Sequence, residues 1–331
     1  MKAIVYTEYG SPDVLHMGEV AKPIPKENEV LVKVHATTVS YGSLAARTFG
    51  KMPPHEFNMP FLFWFGARIA FGWNKPKNPI LGIEFSGVVE AVGQAVTTYK
   101  PGEAVFGYRG QGMACFAEYV TMPADGLLAH KPDTVSHAEA ATIPYGALTA
   151  LTLLRRLNLQ PGQKVLIHGA SGAIGSFMVQ IAKQMGAEVT GTCGTRRMDF
   201  VKALGADRVI DYSREDFTQH STKYDLIIDV LGRSSFNQCK RVLTPKGIYF
   251  PVSFKFTEVR QMLWTSRFGG QKVFLGLSDE KPADMQTLKS MIEAGTLKGY
   301  VDRTFPLEQV VEAHRYYESG QRSGNVILTV A

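Results

Sequence analysis

The stretch Lys164-Val165-Leu166-Ile167-His168-Gly169-Ala170-Ser171-Gly172-Ala173-Ile174-Gly175 decides the fold of this 331-residue chain. An apolar run of strand length enters a glycine-rich turn, and helical periodicity begins where the turn ends. The glycines are spaced G-x-x-G-x-x-G, a variant of the G-x-G-x-x-G of dinucleotide-binding turns. Such glycines let the backbone turn tightly, approach a pyrophosphate and pack helix on strand, while N–H groups at the helix start face the phosphates. Glycine turns between strand and helix also arise for steric reasons alone, so the flanks must decide. Ile174, Met178, Ile181, Ala182 and Met185 share one helical face. Gly186 stands where a C-terminal cap belongs, and residues 188–193 read as a second strand. A complete βαβ unit is therefore expected.

The end of the second strand bears on which dinucleotide is bound. An NAD-preferring site places a carboxylate there for the ribose hydroxyls, whereas a 2′-phosphate calls for cations and small hydroxyls. Here the strand runs out in Thr192-Cys193-Gly194-Thr195-Arg196-Arg197, with no acid. Arg196 and Arg197 would otherwise be only the solvated first turn of the next helix, but cations at a helix N-terminus oppose its dipole. An anion to offset them is expected, and with it NADPH rather than NADH.

Composition is that of an ordinary globular protein, with 45% hydrophobic and 20% charged residues. The length favours a two-domain α/β protein. The net charge of +6 comes from basic residues spread along the chain, so no nucleic-acid partner is expected. Cys115, Cys193 and Cys239 are odd in number and scattered, which speaks for a reducing compartment. Met1-Lys2-Ala3-Ile4-Val5-Tyr6 reads as a strand rather than a leader, and a cytoplasmic location is expected. Residues 57–73 are the most apolar segment, but Asn58, Pro60, Gly66, Arg68 and Gly72 interrupt it, so no membrane span is expected.

Along the chain, strands are expected at residues 3–6, 14–20, 29–37, 85–92, 104–108 and 116–121, a β-rich, barrel-like beginning. From about Ser136 helices alternate with parallel strands. Residues 137–157 form a helical stretch broken at Pro144, and strands follow at 164–168, 188–193, 208–211, 226–230, 247–252 and 272–277. A helix over 284–294, another over 305–317 and a terminal strand over 325–330 complete the reading. The fold class is α/β, a doubly wound parallel sheet inserted into a β-rich domain.

With these residues in place, the chain resembles the medium-chain dehydrogenase/reductase superfamily, in its zinc-independent quinone oxidoreductase-like branch. The resemblance spans the whole length. It is carried by Met1-Lys2-Ala3-Ile4-Val5, Gly82-x-Glu84-x-x-Gly87-x-Val89, Pro101-Gly102-Glu103-x-Val105-Phe106-Gly107, Phe116-Ala117-Glu118-Tyr119-Val120 and Leu204-Gly205-Ala206-Asp207. It implies a GroES-like catalytic domain over residues 1–125 and 278–331, and an NADPH-binding Rossmann domain over 126–277, with the active site in the cleft between them. Ser171, Gly172, Ala173 and Ile174 should meet the pyrophosphate. Gly194, Thr195, Arg197 and Tyr212 should surround the 2′-phosphate, and Arg196 either joins them or stacks on the adenine. Leu231, Gly232 and Ser253 should line the adenosine and nicotinamide sides, with Thr149 and Asn325 near the nicotinamide end.

Two departures from the family pattern inform the chemistry. Zinc-dependent relatives carry a cysteine in the loop after the third strand and a histidine before the glutamate matching Glu84. This chain has Val39-Ser40-Tyr41-Gly42-Ser43 and Ile83 there, and the four-cysteine lobe is missing, so no metal is expected. Quinone reductase relatives also carry Asn, Asp and Tyr where this chain has Ser40, Ser43 and Ala45, with Arg47 kept. An aromatic insertion over residues 53–77 occupies the same region. It suits a lid over a flat conjugated substrate, and equally a core-covering or dimer-contact hairpin.

The expected function is an NADPH-dependent oxidoreductase that passes hydride to a small conjugated acceptor, a quinone or an α,β-unsaturated carbonyl. Tyr41, Ser43 and Tyr145 are the candidate hydrogen-bond donors to it. The alternatives are a low-turnover, crystallin-like NADPH-binding protein with an RNA or protein partner, and a metal-free carbonyl reductase. A homodimer through the sixth strand is expected, because an apolar edge left unpaired is a liability.

Overall fold

The computed structural model of the chain describes residues 1–330. The β-rich beginning opens with β1 (Lys2–Val5) and β2 (His16–Glu19), an antiparallel pair. The second strand starts later than expected. Pro12 opens a 3-10 turn at Pro12–Val14, closed by Leu15 N–H donating to Pro12 O at 3.1 Å, because proline fixes the φ that such a turn needs. The long β3 (Glu29–Val39) alternates buried Val32, Val34 and Ala36 with exposed Lys33 and His35. After it come α1 (Tyr41–Thr48) and α2 (Phe61–Phe71), the second built from the aromatic insertion, which is a helix and not a hairpin. Four more strands follow, β4 (Glu84–Val92), β5 (Ala104–Tyr108), β6 (Tyr119–Pro123) and β7 (Leu128–His130). A Ser136–Glu139 capping box starts α3 (His137–Ala141), and Pro144 starts α4 (Pro144–Arg156) where the helical stretch was expected to break.

Next comes the alternating part: β8 (Lys164–His168), α5 (Ala173–Gln184), β9 (Glu188–Cys193), α6 (Met198–Ala203), β10 (Arg208–Asp211), β11 (Tyr224–Asp229), α7 (Phe236–Cys239), β12 (Leu243–Pro251), α8 (Phe256–Arg267) and β13 (Lys272–Val273). All six strands are parallel, in the order β10-β9-β8-β11-β12-β13. This is the doubly wound arrangement, with β8 at the centre and its Val165, Leu166 and Ile167 fully buried. The sixth strand is shorter than the expected 272–277. Its register sets Tyr249 opposite Val273, and Phe274 N–H still donates to Tyr249 O at 3.0 Å. Two residues further along β12 stands Pro251, whose nitrogen carries no hydrogen, and the ladder stops.

The tail carries α9 (Pro282–Glu293), β14 (Val301–Pro306), α10 (Val310–Glu318) and β15 (Asn325–Thr329). Phe305, expected in a helix, lies in β14 opposite Leu328. The residue before a proline is pushed out of helical geometry, so helical turns begin only after Pro306. β14 and β15 join β3 to β7 in one sheet, in the order β14-β15-β3-β4-β5-β7 with β6 on β3, while β1 and β2 form a two-stranded sheet of their own. Two compact units result. One holds Met1–Pro53, Phe65–Leu148 and the chain from Glu280 onward; the other holds Pro54–Trp64 and Thr149–Asp279.

Candidate functional site

At the turn between β8 and α5 the three glycines have different reasons to be there. Gly169 has φ of 98°, and a Cβ on it would stand 2.7 Å from Leu231 Cγ. A Cβ on Gly175 would stand 2.1 Å from Gly169 O, so helix and strand can pack this closely only at glycine. At Gly172 neither reason holds: φ is −77° and the nearest atom to a Cβ would be Gly169 O at 3.5 Å. The space over Gly172 is open, and it lies at the start of α5. Gly172 is the N-cap and offers no capping side chain, so the N–H groups of Ala173, Ile174 and Gly175 point out of the first turn without intrahelical acceptors. Together with the buried Ser171 beside them and the positive end of the helix dipole, they form a group of donors with the sign that suits an anion.

The end of β9 forms a second corner. Gly194 caps a 3-10 turn at Thr195–Arg197, and its Cβ position faces Tyr212 Oη at 3.5 Å. Thus Gly194, Thr195 and Tyr212 come together. Arg196 is exposed and has no ion-pair partner among the described residues, while Arg197 is half-buried. Asp211, at the end of β10, is a residue the sequence reading missed. Its carboxylate accepts from Thr195 Oγ1 at 2.5 Å, Ser213 Oγ at 2.6 Å and Ser213 N at 3.0 Å, and Arg214 Nε lies 3.4 Å away. The Ser213 and Thr195 hydroxyls hold its pKa below the usual carboxylate range. Its negative charge is answered inside the loop, and the loop is thereby fixed around Thr195. The signal was the acid one residue before Tyr212.

Beside these corners, the C-terminal ends of β8, β10 and β11 border an open cleft of ≈ 520 Å³ lined by His168, Tyr212, Phe217, Leu231 and Arg233 among others. His168 is buried, its Nδ1 lies 2.7 Å from Thr192 Oγ1, and burial pushes its pKa down against the pull of the Asp229 carboxylate. The loop carrying Leu231 and Gly232 is held by the buried Asp229, which accepts from Gly232 N at 2.8 Å and from Ser234 N and Oγ at 2.8 and 2.7 Å. Ser253 follows β12 and is half-buried. Thr149 lies buried on α4, with its carbonyl accepting from Thr152 Oγ1 at 3.2 Å. Asn325 belongs to the other unit, where its Nδ2 donates to Tyr300 O at 3.3 Å.

Of the three candidate donors, Tyr41 is half-exposed at the start of α1. Ser43 is enclosed, its N–H donating to the Ser40 Oγ that caps α1. Burial pushes the Tyr145 hydroxyl pKa far up, its ring lies along that of Tyr108 at 6.0 Å, and its backbone N–H donates to Glu84 Oε2 at 2.7 Å. Glu84 is itself buried, also accepts from Thr38 Oγ1, and is pushed up to about 7 by burial, against the pull of those two hydrogen bonds. A titrating carboxyl at this place was not foreseen. Arg47, buried on α1, contacts His314 Nδ1 at 3.2 Å and pairs with Glu318. Among the described residues no group of three or more His, Cys, Asp or Glu side chains could hold a metal ion, and the three cysteines are free and buried.

Comparison with known proteins gives two family matches, the alcohol dehydrogenase GroES-like domain over residues 26–133 and the zinc-binding dehydrogenase domain over residues 204–328. The chain is 30% identical over 342 residues to a quinone oxidoreductase of Pongo abelii, covering 99% of this chain and 97% of the relative. It is 28% identical over 345 residues to an NADPH-dependent alkenal/one oxidoreductase of Arabidopsis thaliana, covering 99% and 79% respectively. The structure of the quinone oxidoreductase from Coxiella burnetii superposes with a TM-score of 0.84 at 29% identity, over 100% of this chain and 99% of that one.

Proposed function

The chain belongs to the medium-chain dehydrogenase/reductase superfamily, in its quinone oxidoreductase-like branch, and from that premise we propose that it is an NADPH-dependent reductase of electron-poor conjugated acceptors, quinones or α,β-unsaturated carbonyls. The observation that carries the cofactor reading is the pairing of two corners on one sheet: uncapped donors over Gly172, and an unpaired Arg196 with Arg197 and Tyr212 around Gly194. Bound NADPH supplies the hydride. The start of α5 holds the pyrophosphate, and the 194–197 turn with Tyr212 holds the 2′-phosphate. The acceptor class rests on two supports. The relatives' names cover quinones and alkenals or enones. The Val39–Ser43 loop and Ile83 also offer no Cys or His ligand set for a Lewis acid, and conjugated acceptors need little such help. The protein then contributes positioning and hydrogen bonds to the developing oxyanion, and Tyr41 is the candidate whose side chain solvent reaches.

Fluorescence titration with both dinucleotides tests the reading. NADPH is expected to bind more tightly than NADH. Arg197→Ala should weaken NADPH by about one to two decades, the loss of one charge-assisted contact of roughly 1.5–3 kcal/mol, and leave NADH nearly unchanged. Equal wild-type affinities would reduce these arginines to a solvated helix start.

A further inference from the structure

On α8 the larger apolar side chains point the wrong way for a helix that serves only its own core. Inward, Met262 packs on the sheet core, and Thr265 is buried with its Oγ1 accepting from Val273 N–H at 3.0 Å. Outward stand Phe256, Leu263 at 63% exposure, Trp264 at 68% and Phe268, the last two rings 4.6 Å apart on the surface. Within the same unit the segment before α2 joins this face. Phe63 meets Phe254 edge to face at 6.3 Å, Lys255 Nζ donates to His55 O at 3.2 Å, and Leu62 is 73% exposed alongside. A contiguous aromatic face of this kind is retained on a soluble surface for contact.

Its charge says with what. Arg260 and Arg267 are exposed among these apolar residues, and Lys255 stands at the helix start. The helix contains one acid, Glu258, whose Oε2 is turned back to accept from Lys255 N–H at 2.8 Å. A second copy of the chain is a poor occupant. A two-fold contact sets a face against itself, and here that brings the arginines of α8 to arginines, while the two acids nearby are engaged locally, Glu258 with Lys255 N–H and Glu56 beside His55 Nε2 at 3.8 Å. Aromatic side chains interleaved with arginines match the boundary of an anionic bilayer, where rings settle at headgroup depth and guanidinium groups meet phosphates.

We propose that the outward face of α8, with the adjoining Phe61–Phe63, is a peripheral docking surface for an anionic lipid bilayer. The aromatic and leucine side chains enter the interface while Arg260 and Arg267 hold the phosphates. This stands apart from the cofactor reading and survives its failure.

Cosedimentation of the full chain with vesicles, followed also by tryptophan fluorescence, tests it. The protein should partition to vesicles containing phosphatidylglycerol, less so as salt is raised, and little to pure phosphatidylcholine. Arg260→Ala and Arg267→Ala should each weaken that partition about fivefold. Leu263→Ser with Trp264→Ser should weaken it more than about tenfold, since roughly two interfacial apolar anchors are lost. Circular dichroism and dinucleotide titration should stay as in the wild type. Absence of binding to phosphatidylglycerol vesicles, equal binding to both lipids, or partition indifferent to these substitutions would each overturn the proposal. So would light scattering in which the Leu263→Ser, Trp264→Ser protein falls from dimer to monomer, which would give the face to a second copy.

Discussion

Gly172 and Gly175 lie one helical turn apart, and the structure separates what each is for. At Gly175 an added methyl meets the backbone oxygen of Gly169 at 2.1 Å, and neither atom can swing away. Gly175→Ala should therefore destabilise the protein by about 1–3 kcal/mol in urea unfolding, as overpacking does. At Gly172 the methyl enters open space at an ordinary φ, so Gly172→Ala should change stability by no more than about 1 kcal/mol. With the pyrophosphate at the start of α5, as proposed, a methyl at the N-cap takes up part of that space, and affinity for NADPH should fall at least about tenfold because the phosphate loses its close approach. A Gly172→Ala protein that binds NADPH like the wild type would show that the phosphates lie elsewhere.

Helix α4 starts at a proline, and its second residue finds its hydrogen-bond acceptor in another element: Tyr145 N–H donates to Glu84 Oε2 at 2.7 Å, from the first residue of β4. The carboxyl of Glu84 is thus a helix cap supplied across the fold, buried enough that its pKa is raised from 4.5 to about 7. The folded protein then holds a proton that the unfolded chain has released. Stability from this group is present below about pH 4.5 and is lost as pH rises through about 7. Glu84→Gln keeps the shape and removes the titration. Wild-type stability minus that of the variant should fall by on the order of 3 kcal/mol between about pH 4.5 and 8, read by urea unfolding across that range. Parallel profiles would mean that Glu84 is ionised in the fold. Glu84 also marks where the sequence stops being legible. The βαβ unit around Gly169–Gly175 could be read because its turn, periodicity and cap are all local. The length of β13 could not, since Pro251 ends it from the neighbouring strand. Likewise the environment of Glu84 is made by Thr38 and Tyr145, 46 and 61 residues away. At the corner proposed for the 2′-phosphate, the family resemblance sets Gly194 and Tyr212 together and they lie side by side, while the role of Asp211 came from a loop closure that spacing does not reveal.

Across the whole molecule the titrating groups pull in opposite directions. Arg47 on α1 and His314 on α10 are both buried, joined at 3.2 Å, and Glu318 completes the cluster 271 residues from Arg47. Burial first, and the Arg47 charge second, push His314 from 6.5 down to about 3. His137, whose Nδ1 lies 2.8 Å from Ser86 Oγ and whose ring stacks on that of His35 at 4.6 Å, is pushed down to about 4 by burial and by its neighbours His35 and Lys131. For these groups the unfolded chain takes up protons that the fold refuses. Their stability is fully present above about 6.5 and drains away as pH falls toward 3–4, the reverse of Glu84. Between about pH 5 and 7 the two tendencies oppose, and each single variant should expose the other. His314→Gln keeps an acceptor for Arg47 but cannot titrate. Wild-type stability minus that of this variant should rise with pH over the range where the Glu84→Gln difference falls. The groups share no partner, so the two differences should add in the double variant. Urea unfolding of the four proteins at several pH values reads this directly, and a His314→Gln profile parallel to the wild type would mean that the fold takes up the proton on His314 as readily as the unfolded chain does.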